Sequence, residues 1–282
     1  MTAVKCHGPL TDWTPKTNVD NLADRVLGDV LYAGPLSIFD GYCKMEECIK
    51  FSLIGKHLPS KIMTQSIKTA SKKDITHFVS DVRKKAVSDE EMFKKMILLF
   101  FQYAPTSAHA HFFSTMTDKD GDFLTQIIAE LPQDLSHLNL THCKGLKDRH
   151  VKLIAERLDK LDSLNLSNCR AITNAAVNTI VCRSAKNKLQ NSVRFKSLNF
   201  SHCKNITNLA LIKISGSRSM IGLQSLKFAG CHQITNEGVE ALIHSTYLPI
   251  LTSLNLRGCR QVTPEARALI AKILRQNALK RG

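Results

Sequence analysis

Residues 135–143 read Leu-Ser-His-Leu-Asn-Leu-Thr-His-Cys, and the same pattern returns four more times. The later copies begin at Leu161, Phe195, Leu223 and Leu251 and keep the order L-x-x-L-x-L-x-x-C, with Phe at some Leu positions. Their cysteines are 26, 34, 28 and 28 residues apart. A pattern that recurs at a period of about 20–50 residues predicts a repeat architecture, in which neighbouring units stack to bury their apolar side.

The signals within each copy predict one strand, one turn and one helix. The paired leucines alternate with polar residues, which is typical of a strand with one buried face. An apolar residue and then usually Thr follow the cysteine. In Thr263-Pro264-Glu265, a hydroxyl acceptor caps the helix, Pro takes its first position and a carboxylate its first turn. The 34-residue unit carries an extra loop at residues 187–194.

These signals predict an α/β fold, a short curved solenoid of five strand-turn-helix coils with parallel strands on its concave face. The leucines at the centre of the five strands should form one column of a continuous core. Its members are Leu138, Leu164, Leu198, Leu226 and Leu254.

The signature LxLxxCxxIT, visible in residues 164–173 and nearly intact in 198–207, resembles the cysteine-containing leucine-rich repeats typical of F-box/LRR substrate receptors. The likeness covers Leu135 to about Leu274. It implies a leucine-rich-repeat solenoid that binds protein targets. The first copy departs from the pattern at Lys147-Asp148, and Pro264 replaces the polar residue that usually follows Thr.

Residues 1–134 are predicted to form a helical domain in front of the repeat domain, residues 135–282. Ser88-Asp-Glu-Glu91 predicts a capping box that opens an almost wholly apolar core helix. Lys72–Ala86 and Phe123–Leu131 are two further helix candidates. We expect these helices to cover the first coil of the solenoid, which would otherwise expose its core.

Two resemblances suggest roles for the front half. Residues 22–31 partly fit the apolar spacing of an F-box, although Ala23 stands where that family has Pro and Gly28 interrupts the helix. This implies a ubiquitin-ligase substrate receptor whose front segment binds the ligase adaptor. The architecture is also similar to leucine-rich-repeat effectors that intracellular bacteria deliver into host cytosol, some of which mask another effector enzyme.

The formal charge of +15 is concentrated in the repeat half. Residues 1–134 hold 16 Lys and Arg against 17 Asp and Glu, whereas residues 135–282 hold 23 against 7. Such a field attracts acidic proteins, anionic lipids or nucleic acid. It does not by itself distinguish among these partners.

Several residue groups could suggest catalysis or metal binding, but none has the required spacing. The repeated cysteines, one per coil, do not form the paired CxxC arrangement of zinc sites, and burial as small apolar residues explains them better. Cys6-His7, and His109 with His111, lack the remaining members of a nucleophile-base system. Residues 118–122 resemble a calcium loop, but neither end supplies a ligand, so a helix cap is the alternative. We expect no enzyme activity, cofactor or metal.

Binding residues are expected on the concave face and its rim. The residues between the paired leucines should face the concave side; they are Asn139, Asn165, Asn199, Lys227 and Asn255, with Arg257 beyond the last strand. One basic residue follows each cysteine and forms what we call the basic ridge: Lys144, Arg170, Lys204, His232 and Arg260. His142 and His202 lie beside it. The alternative is a solvated rim that keeps the solenoid soluble.

The leading hypothesis is a non-catalytic module that docks an acidic partner protein on this surface and recruits or masks it. The first alternative is the F-box-like substrate receptor. The second is binding of RNA or an anionic membrane through the basic half, which the scarcity of aromatic residues in the concave columns disfavours. Nine cysteines, five of them at one repeat position, indicate reduced thiols. Together with the absence of a leader or a long apolar run, they predict a cytoplasmic protein, in the host cytosol if it is an effector.

Overall fold

The computed structural model describes residues 70–186 and 195–280, which belong to one compact unit. The front part is helical: α1 (Lys72–Ser88), α2 (Glu90–Tyr103), α3 (Thr106–Ser114) and α4 (Gly121–Ala129). None of the helices within the described ranges is long and apolar enough to cross a membrane.

Strands and helices alternate through the rest of the chain. The strands are β1 (His137–Asn139), β2 (Ser163–Asn165), β3 (Ser197–Asn199), β4 (Ser225–Lys227) and β5 (Ser253–Asn255). The helices are α5 (Asp148–Arg157), α6 (Asn174–Lys186), α7 (Asn208–Ser215), α8 (Asn236–Ile243) and α9 (Pro264–Leu279), with a short 3₁₀ helix at Arg218–Met220.

The five strands form one parallel sheet in sequence order, and their register places equivalent residues of successive repeats side by side. The column leucines of the first four strands are buried, while Leu254 in the last strand is only half-buried because no further repeat covers it. The predicted α/β solenoid is therefore confirmed, with its continuous core between the sheet and the helices.

The thiol of each cysteine after the first donates a hydrogen bond to the preceding repeat. Cys169 Sγ lies 3.1 Å from the Leu140 carbonyl oxygen, and Cys203 Sγ lies 3.1 Å from that of Leu166. Cys231 and Cys259 repeat the contact to Phe200 and Phe228 at 3.2 and 3.1 Å. The cysteines are therefore buried donors that satisfy backbone carbonyls, in addition to filling the core as predicted.

A second ladder joins the starts of successive helices. The Asp148 carboxylate accepts from the backbone N–H and the hydroxyl of Thr173, at 3.0 and 2.6 Å. In the later repeats an asparagine takes this place: its side-chain oxygen accepts from the backbone N–H of the next threonine, and its side-chain NH2 donates to the hydroxyl. The pairs are Asn174 with Thr207, Asn208 with Thr235 and Asn236 with Thr263.

This ladder explains both departures from the repeat pattern. Lys147 occupies the threonine position of the first repeat, where no earlier repeat offers a partner. Pro264 occupies the asparagine position of the last described repeat, where no later threonine follows. The threonines also act as predicted helix caps, with one exception: Thr235 caps no N–H, and its hydroxyl accepts from Asn208 instead.

The front helices pack around a cluster of phenylalanine rings. The Phe100 ring centroid lies 5.1 Å from that of Phe78 and 5.2 Å from that of Phe112, and all three side chains are fully buried. Helix α1 buries the four predicted residues Ile75, Phe78, Val79 and Val82.

Two of the predicted helix starts need correction. The cap of α2 is Asp89, not Ser88, and its carboxylate accepts from the Met92 N–H; Ser88 ends α1. The helix predicted at Phe123–Leu131 begins at Gly121. Asp120 precedes it but bonds backward to Thr117 and Arg83 rather than capping the helix.

The helical part covers the first repeat, as expected. Helix α3 packs against β1, and α4 packs against α5. His150 in α5 accepts from the Lys147 N–H at 2.9 Å, and its other ring nitrogen lies 3.0 Å from the Gly121 carbonyl. Gly145 is needed at this junction because a Cβ there would lie 2.4 Å from the Thr117 carbonyl oxygen. The boundary at residues 134 and 135 falls in the connection between α4 and β1, and as a domain boundary it stays a prediction.

An arginine closes the other end of the repeats. Arg267 of α9 donates to the carbonyl oxygens of Leu256, Cys259 and Val262 at 2.9, 2.6 and 3.2 Å. Leu256 is equivalent to Leu140, whose carbonyl accepts the thiol of the next repeat. The guanidinium thus takes the place of the thiol that a further repeat would supply. Earlier helices have buried apolar residues at this position: Val151, Val177, Leu211 and Val239.

We predict that Arg267→Met lowers the free energy of unfolding by about 1–3 kcal/mol, because part-buried carbonyls lose a charged donor. Urea unfolding followed by circular dichroism measures the change. The control is Arg275→Met on the same helix, an exposed residue that should change stability by less than about 0.5 kcal/mol. Equal stability of the two variants would show that Arg267 does not seal the repeats.

Candidate functional site

The residue before each repeat cysteine adopts a left-handed backbone conformation, which turns the chain just before the cysteine and the basic residue that follows it. The φ angles are 64° at His142, 63° at Asn168, 62° at His202, 70° at Gly230 and 76° at Gly258. The N–H of each of the first four donates to a carbonyl of the next repeat, at 2.6–3.0 Å. Gly, Asn and His tolerate this conformation better than most residues. The sequence column His, Asn, His, Gly, Gly could have revealed this turn, but sequence reasoning missed it.

The basic ridge follows directly after this turn and the buried thiol. All five of its residues are exposed. Side-chain amides of the next repeat hold three of them by their backbone: Asn205 donates to the Arg170 carbonyl at 3.0 Å, Gln233 to that of Lys204 at 2.7 Å and Gln261 to that of His232 at 2.9 Å. The structure therefore places the ridge residues one per repeat, in line, as the repeat pattern predicted.

Four of the seven acidic residues of the repeat half bond to residues outside the ridge. Asp148 bonds to Thr173, Glu237 accepts from Asn208, Glu156 pairs with Lys152, and Asp162 pairs with Lys196 at 2.8 Å. Within the described ranges, none of the five ridge residues forms an ion pair. The positive charge of the ridge is therefore not neutralised by these parts of the chain.

The predicted asparagines on the strands have a structural task. The side-chain oxygens of Asn139, Asn165, Asn199 and Asn255 each accept the N–H two residues ahead, at 2.9–3.1 Å. This local turn is typical of Asn and ends each strand. Lys227 replaces Asn in the fourth repeat and is exposed, as is Arg257. The partner-binding role of all these residues stays a prediction.

His142 and His202 also serve the turn. Both are exposed. A Cβ at Gly230 would lie 2.3 Å from His202 Nδ1, so the missing side chain at Gly230 gives room to the His202 ring.

The repeat thiols are buried and poorly reactive. Burial raises the pKa of Cys143 to about 12, of Cys203 to about 11 and of Cys231 to about 12. Burial also raises the pKa of the Cys169 and Cys259 thiols. Because the thiolate is the reactive form, none of the five is suited to nucleophilic chemistry.

We predict that iodoacetamide at pH 8 modifies Cys182 in the native protein and spares the five repeat cysteines. Cys182 is exposed, whereas the other five are fully buried. Peptide mapping by mass spectrometry measures the modification at each site. The control is the protein in urea, where Cys182 and the five repeat cysteines should all react. Fast labelling of Cys203 without denaturant would contradict the buried ladder.

The residues that could suggest catalysis have other surroundings. His109 is buried against the Phe101 ring, with 4.9 Å between ring centroids. Burial lowers its pKa to about 4; the Ala104 carbonyl opposes this shift, although neither ring nitrogen has a partner with hydrogen-bond geometry. His109 is therefore a neutral core residue. The candidate calcium residue Asp120 is occupied by Thr117 and Arg83.

A serine, a histidine and an aspartate lie near one another at the edge of β1, a proximity that sequence reasoning missed. Ser136 Oγ lies 2.7 Å from His137 Nδ1, but His137 Nε2 is 3.8 Å from Asp162, which is beyond hydrogen-bond range. Asp162 pairs instead with Lys196. The His137 side chain is 57% exposed. The arrangement is a surface ion-pair cluster without the aligned contacts of a nucleophile and its base.

We predict that His109 makes the protein less stable in acid. Its pKa is about 4 in the folded chain, below the usual value near 6.5, so folding disfavours the imidazolium ion. Its contribution is fully present above about pH 6.5 and is lost as the pH falls towards about 4, amounting to about 3 kcal/mol. Urea unfolding at pH 7 and pH 4.5 measures this loss. His109→Phe should lose less stability than the wild type between these pH values, and an unchanged loss would contradict the assignment.

A family model described as Leucine Rich repeat matches residues 223–242, which hold β4, the fourth thiol and most of α8. The strand-bearing half is a leucine-rich-repeat solenoid. No curated protein matches the chain.

One similar solved structure is that of the yeast Rad7 and Elc1 complex. The similarity has a TM-score of 0.38 and 12% sequence identity, and it covers 75% of this chain. The chain spans 65% of the length of that matched chain.

Some sequence hypotheses fall on residues 1–69 and 187–194, outside the described ranges. They are the F-box-like segment at residues 22–31, the pair Cys6-His7 and the extra loop of the second repeat. The similarity to bacterial effectors also stays a prediction.

Proposed function

We propose that the chain is a non-catalytic protein-binding module, which docks an acidic partner protein along its basic ridge and the adjacent sheet face and thereby recruits or masks it. The observation that supports this proposal is the ridge itself. It consists of five exposed basic side chains, one per repeat, with no ion pair to any described residue.

The like charges of the four lysine and arginine side chains in this row repel one another in the free protein. Neighbouring parallel strands are about 4.8 Å apart. Two unit charges at that distance repel by about 1 kcal/mol in water, and by more where water is excluded. A partner that brings carboxylates to the ridge relieves this repulsion. Charge complementarity then increases the association rate and the selectivity for acidic partners.

The dimensions of the site suit a single small partner. Five strands span about 24 Å, which fits a standard interface of roughly 800 Å² per protein. The strand residues that flank the column leucines are small at one position: Ser163, Ser197, Ser225 and Ser253. Small side chains leave room for a partner's surface to reach the sheet.

A protein partner fits the surface better than RNA. The strand positions flanking the leucines and the ridge contain no Phe, Tyr or Trp, and single-stranded RNA is bound largely by stacking on such rings. The phenylalanines of the described repeats, Phe195, Phe200 and Phe228, are buried.

The test is charge reversal of the basic ridge in the full chain, with Lys144, Arg170, Lys204 and Arg260 changed to Glu. The matched control reverses Lys213, Arg218, Lys272 and Arg275, which are also exposed but lie outside the ridge. Each variant and the wild type are immobilised and used to capture proteins from a cell lysate. We expect the wild type and the control variant to capture the same acidic proteins, with binding that weakens as salt rises, and the ridge variant to capture none of them. Binding constants to each captured protein, measured by biolayer interferometry, give the loss.

Equal binding by wild type and ridge variant would remove the ridge from the site. Tighter binding of the wild type to bulk RNA or to acidic vesicles than to any captured protein would favour the alternative, that the basic half binds RNA or an anionic membrane. A thermal melt of both variants confirms that each is folded.

A further inference from the structure

The spacing of the basic ridge, taken with the proposed function on which this inference rests, points to the shape of the partner segment. We infer that the ridge binds an acidic α-helix of the partner, which lies across the strands and presents one carboxylate per turn to successive repeats.

The backbone of the ridge is held at a fixed spacing. The left-handed residues before the thiols bond to the next repeat, and parallel bridges join Thr173 to Asn205, Thr207 to Gln233 and Thr235 to Gln261 on the other side of the ridge. The ridge residues therefore follow the strand separation of about 4.8 Å. From Lys144 to Arg260 the ridge spans four such steps, or about 19 Å.

An α-helix matches this spacing closely. It rises about 5.4 Å per turn, and residues three or four apart lie on the same face. Four turns cover about 22 Å, so the helix and the ridge differ by about 3 Å over their whole length. The flexible side chains of Lys144, Arg170, Lys204 and Arg260 can absorb a mismatch of this size.

An extended segment matches the spacing less well. Its side chains return to the same face every second residue, about 6.7 Å apart. Four such steps cover about 27 Å, which leaves a mismatch of about 8 Å against the ridge. An extended acidic peptide would therefore bring fewer carboxylates to the ridge than a helical one.

The neighbouring surface also suits a helix. The serines and the part-buried asparagines beside the ridge are short, so a helix about 10 Å in diameter could lie against the sheet without meeting large side chains. The exposed Lys227 and Arg257 would add positive charge on the sheet side of that helix.

The test uses three synthetic peptides of about 20 residues with identical composition and net charge, long enough for four helical turns. The first carries glutamates at i, i+4, i+7, i+11 and i+14 on one face, one for each of the five ridge residues. The second distributes them around the helix. The third keeps the first pattern but has two central Ala residues exchanged with terminal Pro residues, which prevents helix formation. Fluorescence anisotropy measures binding to the full chain, the ridge variant and the control variant.

We expect the one-face peptide to bind the wild type and the control variant roughly tenfold more tightly than the other two peptides, since several exposed ion pairs add up only when all carboxylates align. The ridge variant should lose this preference. Lys204→Gln alone should weaken the one-face peptide by roughly two- to fivefold and leave the distributed peptide nearly unchanged.

If all three peptides bind the wild type with equal affinity and bind the ridge variant more weakly, the inference of a helical partner is overturned and the proposed function still stands. Tighter binding by the proline peptide would overturn it in favour of an extended segment. If every peptide binds the wild type and the ridge variant with equal affinity, the inference of a helical partner is also overturned. The experiment with captured proteins then tests the proposed function separately.

Discussion

Contact between successive repeats is the constraint on which the solenoid depends, and the buried thiols of the last four repeats mark it with a hydrogen bond to a carbonyl of the preceding repeat. A strand of three residues has too few backbone hydrogen bonds to fix its register alone. The thiol ladder and the ladder from Asp148 to Thr263 hold each repeat at its two ends, one beside the strand and one at the helix start. Between these ladders lies the turn that carries the basic ridge. The position of every ridge residue is thus set by bonds that link different repeats.

Much of this arrangement could be predicted from the repeats alone. A period near 28 residues, leucines in alternation and a threonine before four of the five repeat helices indicate the strands, the helices and the column of core leucines. The same alignment places one basic residue after each cysteine, so the ridge follows once stacking is assumed. Periodicity is informative here because every repeat faces almost the same surroundings, and a residue type that recurs five times reports those surroundings.

The sequence was less informative where a residue's task depends on a neighbouring repeat. Asn174 and Asn208, for example, bond to a threonine of the next repeat, a task that one repeat alone does not reveal. The strand asparagines also close local turns with their side-chain oxygens, and their binding role stays a prediction. The left-handed residues vary between His, Asn and Gly, and their shared property is a backbone angle rather than a side chain. In the front helices, where nothing repeats, the start of α2 is shifted by one residue. Ser88 still belongs to α1, where its hydroxyl donates to the Lys84 carbonyl, and Asp89 caps α2.

Arg267 and Pro264 limit where a repeat can be added to this solenoid. Adding a further repeat after α9 would bury the Arg267 guanidinium where earlier repeats have an aliphatic side chain, and Pro264 could not bond to the threonine of the added repeat. Lengthening would therefore require at least two exchanges, Arg267 to Val and Pro264 to Asn, with the original pair moved to the new final helix. Inserting a copy of an internal repeat, such as the fourth, would need neither exchange, because both of its neighbours already present matching edges.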